Sequence, residues 1–276
     1  MSAKLLLGKP CADSICEKVC QATEGKNIKL VTIGFDEDRW NQYSNSLYKS
    51  ASRLSLICEQ IRLGANVTPD EFCNVVKERS ADATVAGVIV QQPLPKAYSH
   101  AVNFVSVDKD VDCLNPLTIA KLYLATDGFR PATPLAVLRL LDYYGIELQG
   151  KNVVIIGRGN AVGKPLALMM LARNATVTIC HTKTRNLSTV CKKADILISA
   201  CGVAGLVTPD YVTAKTVVID VGLSFVNGKT CGDVANEVYE KCKAISPVPG
   251  GVGPVTRAVL FENLLKINDN NGNTTK

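Results

Sequence analysis

The sequence predicts an α/β protein built from two parallel-sheet units. Three observations predict it. Short apolar runs alternate with stretches of helical length along the chain. That alternation breaks between Asp112 and Pro131 and then resumes. In the second series a glycine-rich loop follows directly on a buried strand. Strands separated by helices imply parallel sheets covered on both faces.

Each element has its own signal. Leu30–Ile33 is a short apolar run ending at Gly34 and reads as a strand; Trp40–Leu54 is long enough for a helix; Leu56–Leu63 reads as a second strand. Thr68-Pro69-Asp70-Glu71 marks a helix start, with Thr68 as N-cap, Pro69 at the first helical position and Glu71 closing a capping box. Val85–Gln91 is apolar almost throughout, as a strand buried on both faces should be, and Pro93-Leu94-Pro95 stops it. In the second series Leu135–Tyr144 is helical, Val153–Ile156 a strand, Val162–Ala172 a helix, Thr176–Cys180 a strand and Asn186–Ala194 a helix. Ile196–Ala200, Thr216–Val221 and Ala244–Ser246 complete the strands. The Asn-rich tail Asn268–Lys276 is expected to be disordered.

Composition narrows the function. The chain has 276 residues, 47% of them hydrophobic, which suffices for one large core or two smaller ones. Its 31 basic and 25 acidic residues leave +6, which fits a small anionic ligand; without long Lys/Arg runs, nucleic acid is a weak fit. Only 2 His disfavour a His-rich metal site and most Ser–His or Cys–His hydrolases. The 11 Cys include no C-x-x-C pair, and Cys11, Cys16 and Cys20 do not match zinc-knuckle spacing, so no metal is expected. Cys16 and Cys20 stand one helical turn apart, which suits a buried helix face. Structural, reduced cysteines without a signal peptide point to a cytoplasmic protein, and no stretch approaches the ~20 apolar residues of a membrane span.

The glycine loop runs Val153-Val154-Ile155-Ile156-Gly157-Arg158-Gly159-Asn160-Ala161-Val162-Gly163. Gly157 permits a tight turn, Gly159 lets backbone approach a pyrophosphate, and Gly163 permits close helix-to-sheet packing, with helix N–H groups facing the anion. The spacing is one residue longer than the usual dinucleotide fingerprint, and the bland alternative is a glycine turn of any α/β domain. The next strand is followed by His181-Thr182-Lys183-Thr184-Arg185, without the acid that usually binds an NAD ribose. Hydroxyls and cations there, with Arg158 in the loop itself, suit the 2′-phosphate of NADP better than NAD. His181 fits cofactor contact better than proton transfer, and His100 reads as ordinary surface.

Several segments together resemble the methylenetetrahydrofolate dehydrogenase/cyclohydrolase family. Val85–Pro95 is similar to its "GIIVQLPLP", Asp108–Asp112 to its "KDVD", Pro131–Pro134 to its "PCTP" and Gly157–Pro165 to its "GRSxxVGxP". Ala175–His181 resembles "ATVTxCH", and Pro247–Thr256 is nearly "PVPGGVGPMT". The resemblance spans almost the whole chain. It implies two α/β domains around a cleft, the second a Rossmann-like NAD(P)-binding domain. Residues 1–121 and 257–276 would form the folate-binding catalytic domain, with Arg257–Lys266 a helix returning to it, and 122–256 the NADP domain. It further implies a homodimer that moves a hydride from 5,10-methylenetetrahydrofolate to NADP; bifunctional members then hydrolyse the methenyl product to 10-formyltetrahydrofolate.

Residue roles follow from the same resemblance. Asp112 matches the carboxylate that grips the pterin, through charge-assisted bonds to its N–H edge. Gln91 matches the glutamine beside the reactive carbon. Tyr43 matches the folate-stacking tyrosine, given one inserted residue after Gly34. Pro249, Gly250 and Gly251 would bring backbone close to folate. Gly157, Arg158, Gly159, Val162, Gly163, His181, Thr182, Lys183, Arg185 and Leu223 would contact the cofactor. The bland alternatives are a capped turn for Asp112, a strand-end amide for Gln91 and a core aromatic for Tyr43.

One position departs sharply. The family's Y-x-x-x-K-x-K reads here Tyr43-Ser44-Asn45-Ser46-Leu47-Tyr48-Lys49. Lys49 fits the second lysine and stands with Gln91, Asp112 and Tyr43 as a catalytic candidate. Leu47 occupies the place of the first, the proton-transfer residue of the cyclohydrolase. General acid–base help is typically worth ~10²–10⁴-fold, so hydrolysis should be weak or lost, whereas hydride transfer asks chiefly for positioning. "DGFH" also becomes Asp112-Cys113-Leu114-Asn115, and Ala132 replaces the cysteine of "PCTP". Three functions stay open: an NADP-linked dehydrogenase, the full bifunctional enzyme, and a non-enzymatic or altered-substrate relative that keeps the fold and cofactor pocket.

Overall fold

The computed structural model describes residues 2–226 and 228–271. In chain order the elements are β1 (Lys4–Leu5), α1 (Gly8–Thr23), β2 (Lys29–Phe35), α2 (Asp38–Arg53), β3 (Ile57–Leu63), α3 (Pro69–Ala81) and β4 (Val85–Val90). A 3-10 stretch at Lys96–Phe104 precedes α4 (Pro116–Tyr123) and α5 (Ala132–Tyr143). Then come β5 (Asn152–Ile156), α6 (Gly163–Leu171), β6 (Thr176–Cys180), α7 (Leu187–Cys191), β7 (Ile196–Ser199) and β8 (Val217–Asp220). β9 (Ser224–Val226), β10 (Lys229–Cys231), β11 (Ala244–Ser246) and α8 (Val252–Asn271) close the chain.

The elements fall into two compact units. One holds Ser14–Ala132 and the chain from Arg257 onward; the other holds the residues up to Asp13 and Thr133–Thr256. These units divide the chain differently from the expected partition in two places. The first residues belong with the second sheet, because β1 pairs in parallel with β11, Lys4 opposite Ala244 and Leu5 opposite Ile245. Residues 122–132 stay with the first unit, where Asn263 Nδ2 donates to the carbonyl of Arg130 at 3.1 Å.

The first unit is built on a three-stranded parallel sheet in the order β3-β2-β4. Val31, Ile33, Val88 and Val90 pack with Phe72 and Val76 of α3 on one face, a β-branched core of the kind parallel strands favour. α3 starts as the sequence predicts: the Thr68 hydroxyl accepts the Glu71 N–H at 3.3 Å, and the Glu71 carboxylate accepts the Thr68 N–H at 2.8 Å. α2 buries Trp40, Ser44, Leu47 and Ala51, the spacing of a single helical face. It ends in a Schellman turn: Leu56 N–H donates to Ala51 at 3.0 Å, with Ser55 at φ 57°.

The second unit is built on a six-stranded sheet, β1-β11-β8-β7-β5-β6, in which every paired strand is parallel. β9 and β10 form a separate antiparallel hairpin. The chain goes from β5 to β6 on one side and then to β7 on the other. The C-terminal ends of β5 and β7 therefore flank a topological switch point, where open α/β sheets bind ligands.

Other expectations shift. On α1 the buried positions are Cys11, Ala12, Ile15 and Val19. Cys20 is exposed and Cys16 half-buried, so the pair does not mark the buried face; that face runs through Ala12, Ile15 and Val19, while Glu17 and Lys18 are exposed. α7 is shorter than Asn186–Ala194: Asn186, at φ 49°, lies outside the right-handed region and precedes the helix, which ends at Cys191 with Lys192 as its C-cap. α8 starts before Arg257 and continues through Asn271, so the first part of the Asn-rich tail is helical; residues 272–276 lie outside the described residues. Among the described residues no helix is long and apolar enough to cross a membrane.

Candidate functional site

In the first unit the C-terminal end of β4 opens into a cavity of about 390 Å³. Gln91, Tyr43 and Asp112 all line it, together with Glu37, Arg39, Trp40 and Pro93. Three segments far apart in sequence meet there for local reasons. Gly34 ends the apolar part of β2 at a place where a Cβ would lie 2.4 Å from Trp40 Nε1 and 2.6 Å from Gln91 Oε1, so only glycine fits. Tyr43 stands on the first turns of α2, its ring 5.6 Å from that of Trp40. The Lys109-Asp110-Val111-Asp112 segment runs alongside β4, with Val88 N–H donating to the Lys109 carbonyl at 2.8 Å. Asn263 of α8 holds it from behind, donating to the Val111 carbonyl at 2.8 Å.

Gln91 is 4% exposed and held at both ends of its amide. Its Oε1 accepts the Phe35 N–H at 2.7 Å, and its Nε2 donates to the Glu37 carboxylate. Asp112 titrates far from its ordinary range: burial, and next the charge of Asp110, push its carboxyl up to about 7. Asp110 is itself raised by burial, although the N–H groups of Leu114 and Asn115 donate to it at 3.0 and 2.8 Å. The Tyr43 phenol is raised by burial and by Asp112, against the opposing pull of Arg257. Arg257 also donates to the Ser46 hydroxyl at 3.1 Å. The cavity thus offers a carboxyl poised near neutrality, an aromatic face and an oriented amide.

Two candidates stand elsewhere. Lys49 is exposed and does not line the cavity: it lies six residues beyond Tyr43, about 120° around the helix. Leu47 is fully buried in the core face of α2. Sequence reasoning missed Glu37, Arg39, Trp40 and Arg257. Their roles depend on contacts made across the fold, and no local motif marks them.

The glycine loop of the second unit occupies the switch point. Gly157 has φ 121°, and a Cβ there would lie 2.4 Å from the Ala200 carbonyl oxygen that follows β7. Gly163 opens α6 with so little room that a Cβ would lie 2.1 Å from the Gly157 oxygen. Gly159 faces open space, and Val162 precedes the helix at φ −129°. The cradle is therefore tight where chain meets chain and open where a pyrophosphate would approach. Arg158 is exposed on it.

Beside it, β6 leads into a turn in which Thr184 N–H donates to the His181 carbonyl at 2.8 Å and His181 N–H to the Thr184 hydroxyl at 2.9 Å. Lys183 N–H donates to His181 Nδ1 at 3.1 Å, which leaves the imidazole proton on Nε2. Thr182, Lys183 and Arg185 are exposed there, with no acid among them. Leu223, 63% exposed, follows the C-terminal end of β8 on the same edge of the sheet. These residues fit a dinucleotide carrying an extra phosphate.

Two buried acids that sequence reasoning missed fix the loops on this edge. Asp233 accepts from the Ser199 hydroxyl at 2.8 Å and from the N–H groups of Cys201 and Val203 at 2.9 and 2.7 Å. Asp220 accepts from Gly222, Asp233 and Val234 N–H, each at 3.0 Å. Pro249, Gly250 and Gly251 lie in the turn between β11 and α8. There Gly8 N–H donates to Gly250 at 2.8 Å and Gly251 N–H to Pro247 at 2.7 Å.

A family model described as the catalytic domain of tetrahydrofolate dehydrogenase/cyclohydrolase matches residues 6–112, and one described as its NAD(P)-binding domain matches residues 131–271. The bifunctional protein FolD of Clostridium perfringens is 43% identical over 272 residues, covering 95% of this chain and 98% of the relative. Among solved structures, the bifunctional FolD of Campylobacter jejuni superposes with a TM-score of 0.93 at 36% identity, covering 98% of this chain and 100% of that one. The FolD of Trypanosoma brucei, solved with NADP and an inhibitor, superposes with a TM-score of 0.91 at 30% identity over 99% of this chain and 100% of the other.

Proposed function

The chain belongs to the tetrahydrofolate dehydrogenase/cyclohydrolase family, and from that premise we propose that it oxidises 5,10-methylenetetrahydrofolate to 5,10-methenyltetrahydrofolate with NADP. The observation that carries this function is the convergence of Gln91, Tyr43 and Asp112 on one cavity. Asp112, once ionised, accepts hydrogen bonds from the amino and ring N–H edge of the pterin, an acceptor-only partner for a donor-rich face. Tyr43 offers its ring to the flat folate body. Gln91, held at both ends, presents a fixed dipole to the reacting carbon, so no reorganisation is needed as charge develops.

When bound, NADP supplies the acceptor for the hydride. The Gly157–Gly163 cradle and the N-terminus of α6 would hold its pyrophosphate, and Thr182, Lys183 and Arg185 its 2′-phosphate. Comparing kcat/KM for NADP and NAD tests this assignment; a tenfold or greater preference for NAD refutes it. A homodimer in the cytoplasm belongs to the same proposal, and light scattering on the purified protein checks the dimer.

Cyclohydrolase activity is proposed to be weak or lost. Leu47 cannot carry a proton, and Lys49 stands outside the cavity. The full bifunctional activity is the second possibility, favoured by the naming of a 43% identical relative as bifunctional. Assaying NADP reduction and methenyl-folate hydrolysis separately on purified protein decides between them. NADP reduction with hydrolysis at the buffer rate is expected; robust enzymatic hydrolysis would establish the bifunctional enzyme instead.

A further inference from the structure

The cavity contains a carboxylate that the proposed chemistry has not yet used. Glu37 occupies the N-cap position of α2, with extended backbone at φ −137° and ψ 149°, yet its side chain makes no capping hydrogen bond. Capping would be the ordinary use of a polar side chain there. Instead its carboxylate turns away from its own helix and accepts from Gln91 Nε2. Gln91 Oε1 is taken by the Phe35 N–H. A backbone donor at one end and a carboxylate at the other admit only one orientation of the buried amide.

Charge makes the second point. Glu37 and Asp112 line the cavity, and among its described lining residues Arg39 is the one basic side chain, while Leu47 is buried in the core face of α2 and does not line it. The proposed reaction creates positive charge. The C–H bond of the methylene carbon breaks, both its electrons leave with the hydrogen as hydride to the oxidised nicotinamide, and no proton is released. The carbon is left as a cation shared with its two nitrogen neighbours. A fixed negative charge stabilises that developing cation, as preorganised groups stabilise transition states generally.

We infer that Glu37 is a positioning residue that locks the Gln91 amide and biases the cavity toward the cationic methenyl product over neutral folates. This rests on the folate-oxidation function proposed above. It assigns Glu37 a role in specificity: a pocket that favours forming and holding the cation, rather than one equipped to discharge it by hydrolysis.

Glu37→Gln tests it, because glutamine keeps the size and an acceptor oxygen but removes the charge. Full-length wild-type and variant proteins are titrated with tetrahydrofolate and with 5,10-methenyltetrahydrofolate, and kcat and KM for NADP reduction are measured. A charge-assisted hydrogen bond is roughly twice as strong as a neutral one, so a loss on the order of tenfold is expected. That loss should fall on methenyl-folate affinity and on kcat, while tetrahydrofolate affinity and KM change less than about threefold. Glu37→Ala should be worse on kcat, since the amide also loses its anchor. Equal weakening of both folates by Glu37→Gln, or an unchanged ratio of the two affinities, would overturn the role of the charge. A wild-type protein that binds both folates but reduces no NADP would overturn the oxidation itself; the affinity ratio would still judge Glu37.

Discussion

Replacing Asp112 with asparagine removes a titration while nearly preserving shape, and its consequences have a definite sign. The native carboxyl is pushed up from 3.8 to about 7, first by burial and then by Asp110. The native state therefore holds this proton more tightly than the unfolded chain does. The stability this contributes is fully present below pH 3.8 and is lost as pH rises through about 7. At 1.36 kcal/mol per pH unit, the interval from 3.8 to about 7 is worth at most about 4 kcal/mol. Urea unfolding of wild type and Asp112→Asn at pH 4 and pH 8 isolates this effect, because the other titrating groups are shared. The variant should gain on wild type by several kcal/mol between the two pH values. Catalysis should run the other way, since only the ionised carboxylate accepts from the pterin N–H edge through both oxygens, with its charge and without an O–H of its own. Wild-type kcat/KM for NADP reduction should rise about tenfold per pH unit below pH 7 and level off above it. The variant should be slow, without that inflection. A flat wild-type profile between pH 5.5 and 8, or parallel stability curves for the two proteins, would refute both the poised carboxyl and its role.

Further outcomes are expected elsewhere. Ser55→Gly should stabilise the protein by about 1 kcal/mol in denaturant unfolding, because the Schellman position at φ 57° strains any residue with a Cβ. Gly157→Ala should weaken NADP binding at least about tenfold in calorimetry, since the new Cβ would meet the Ala200 oxygen at 2.4 Å and shift the cradle. Tetrahydrofolate affinity should be unchanged in that variant. Asp233→Asn should cost about 3 kcal/mol in urea unfolding, because the Cys201 and Val203 N–H groups would face an amide in place of a carboxylate.

The central strands were legible because β-branched runs flanked by Gly and Pro have few other structures available to them. Thr176–Cys180 and Ala244–Ser246 match the observed strands end to end. The start of α3 was legible because a capping box is a purely local device. Lys4–Leu5 was not, since two residues of strand carry no periodicity and nothing in them says which sheet they join. The site divided in the same way. Gln91 and Asp112 sit in contiguous motifs. Glu37 meets a partner 54 positions away, and Asp220, at the end of a strand, and Asp233, in a loop, carry no mark of their role until their buried N–H partners are known.

The way the units divide the chain bears on how the protein is made. Each unit takes residues from both sides of the Ala132/Thr133 boundary. The edge strand at Lys4–Leu5 cannot dock until Ala244–Ile245 exist, and the segment before Asp112 waits for Asn263 to hold it. During synthesis the unit built on Ser14–Ala132 still waits for the chain from Arg257 onward when the other unit has all its residues at Thr256, although domains generally complete in order from the N-terminus. Two fragments cut at the boundary would each hold parts of both units and the whole of neither. The pairing of the first strand with the last thus makes completion of the fold a nearly simultaneous, late event, driven by contacts of very high sequence separation.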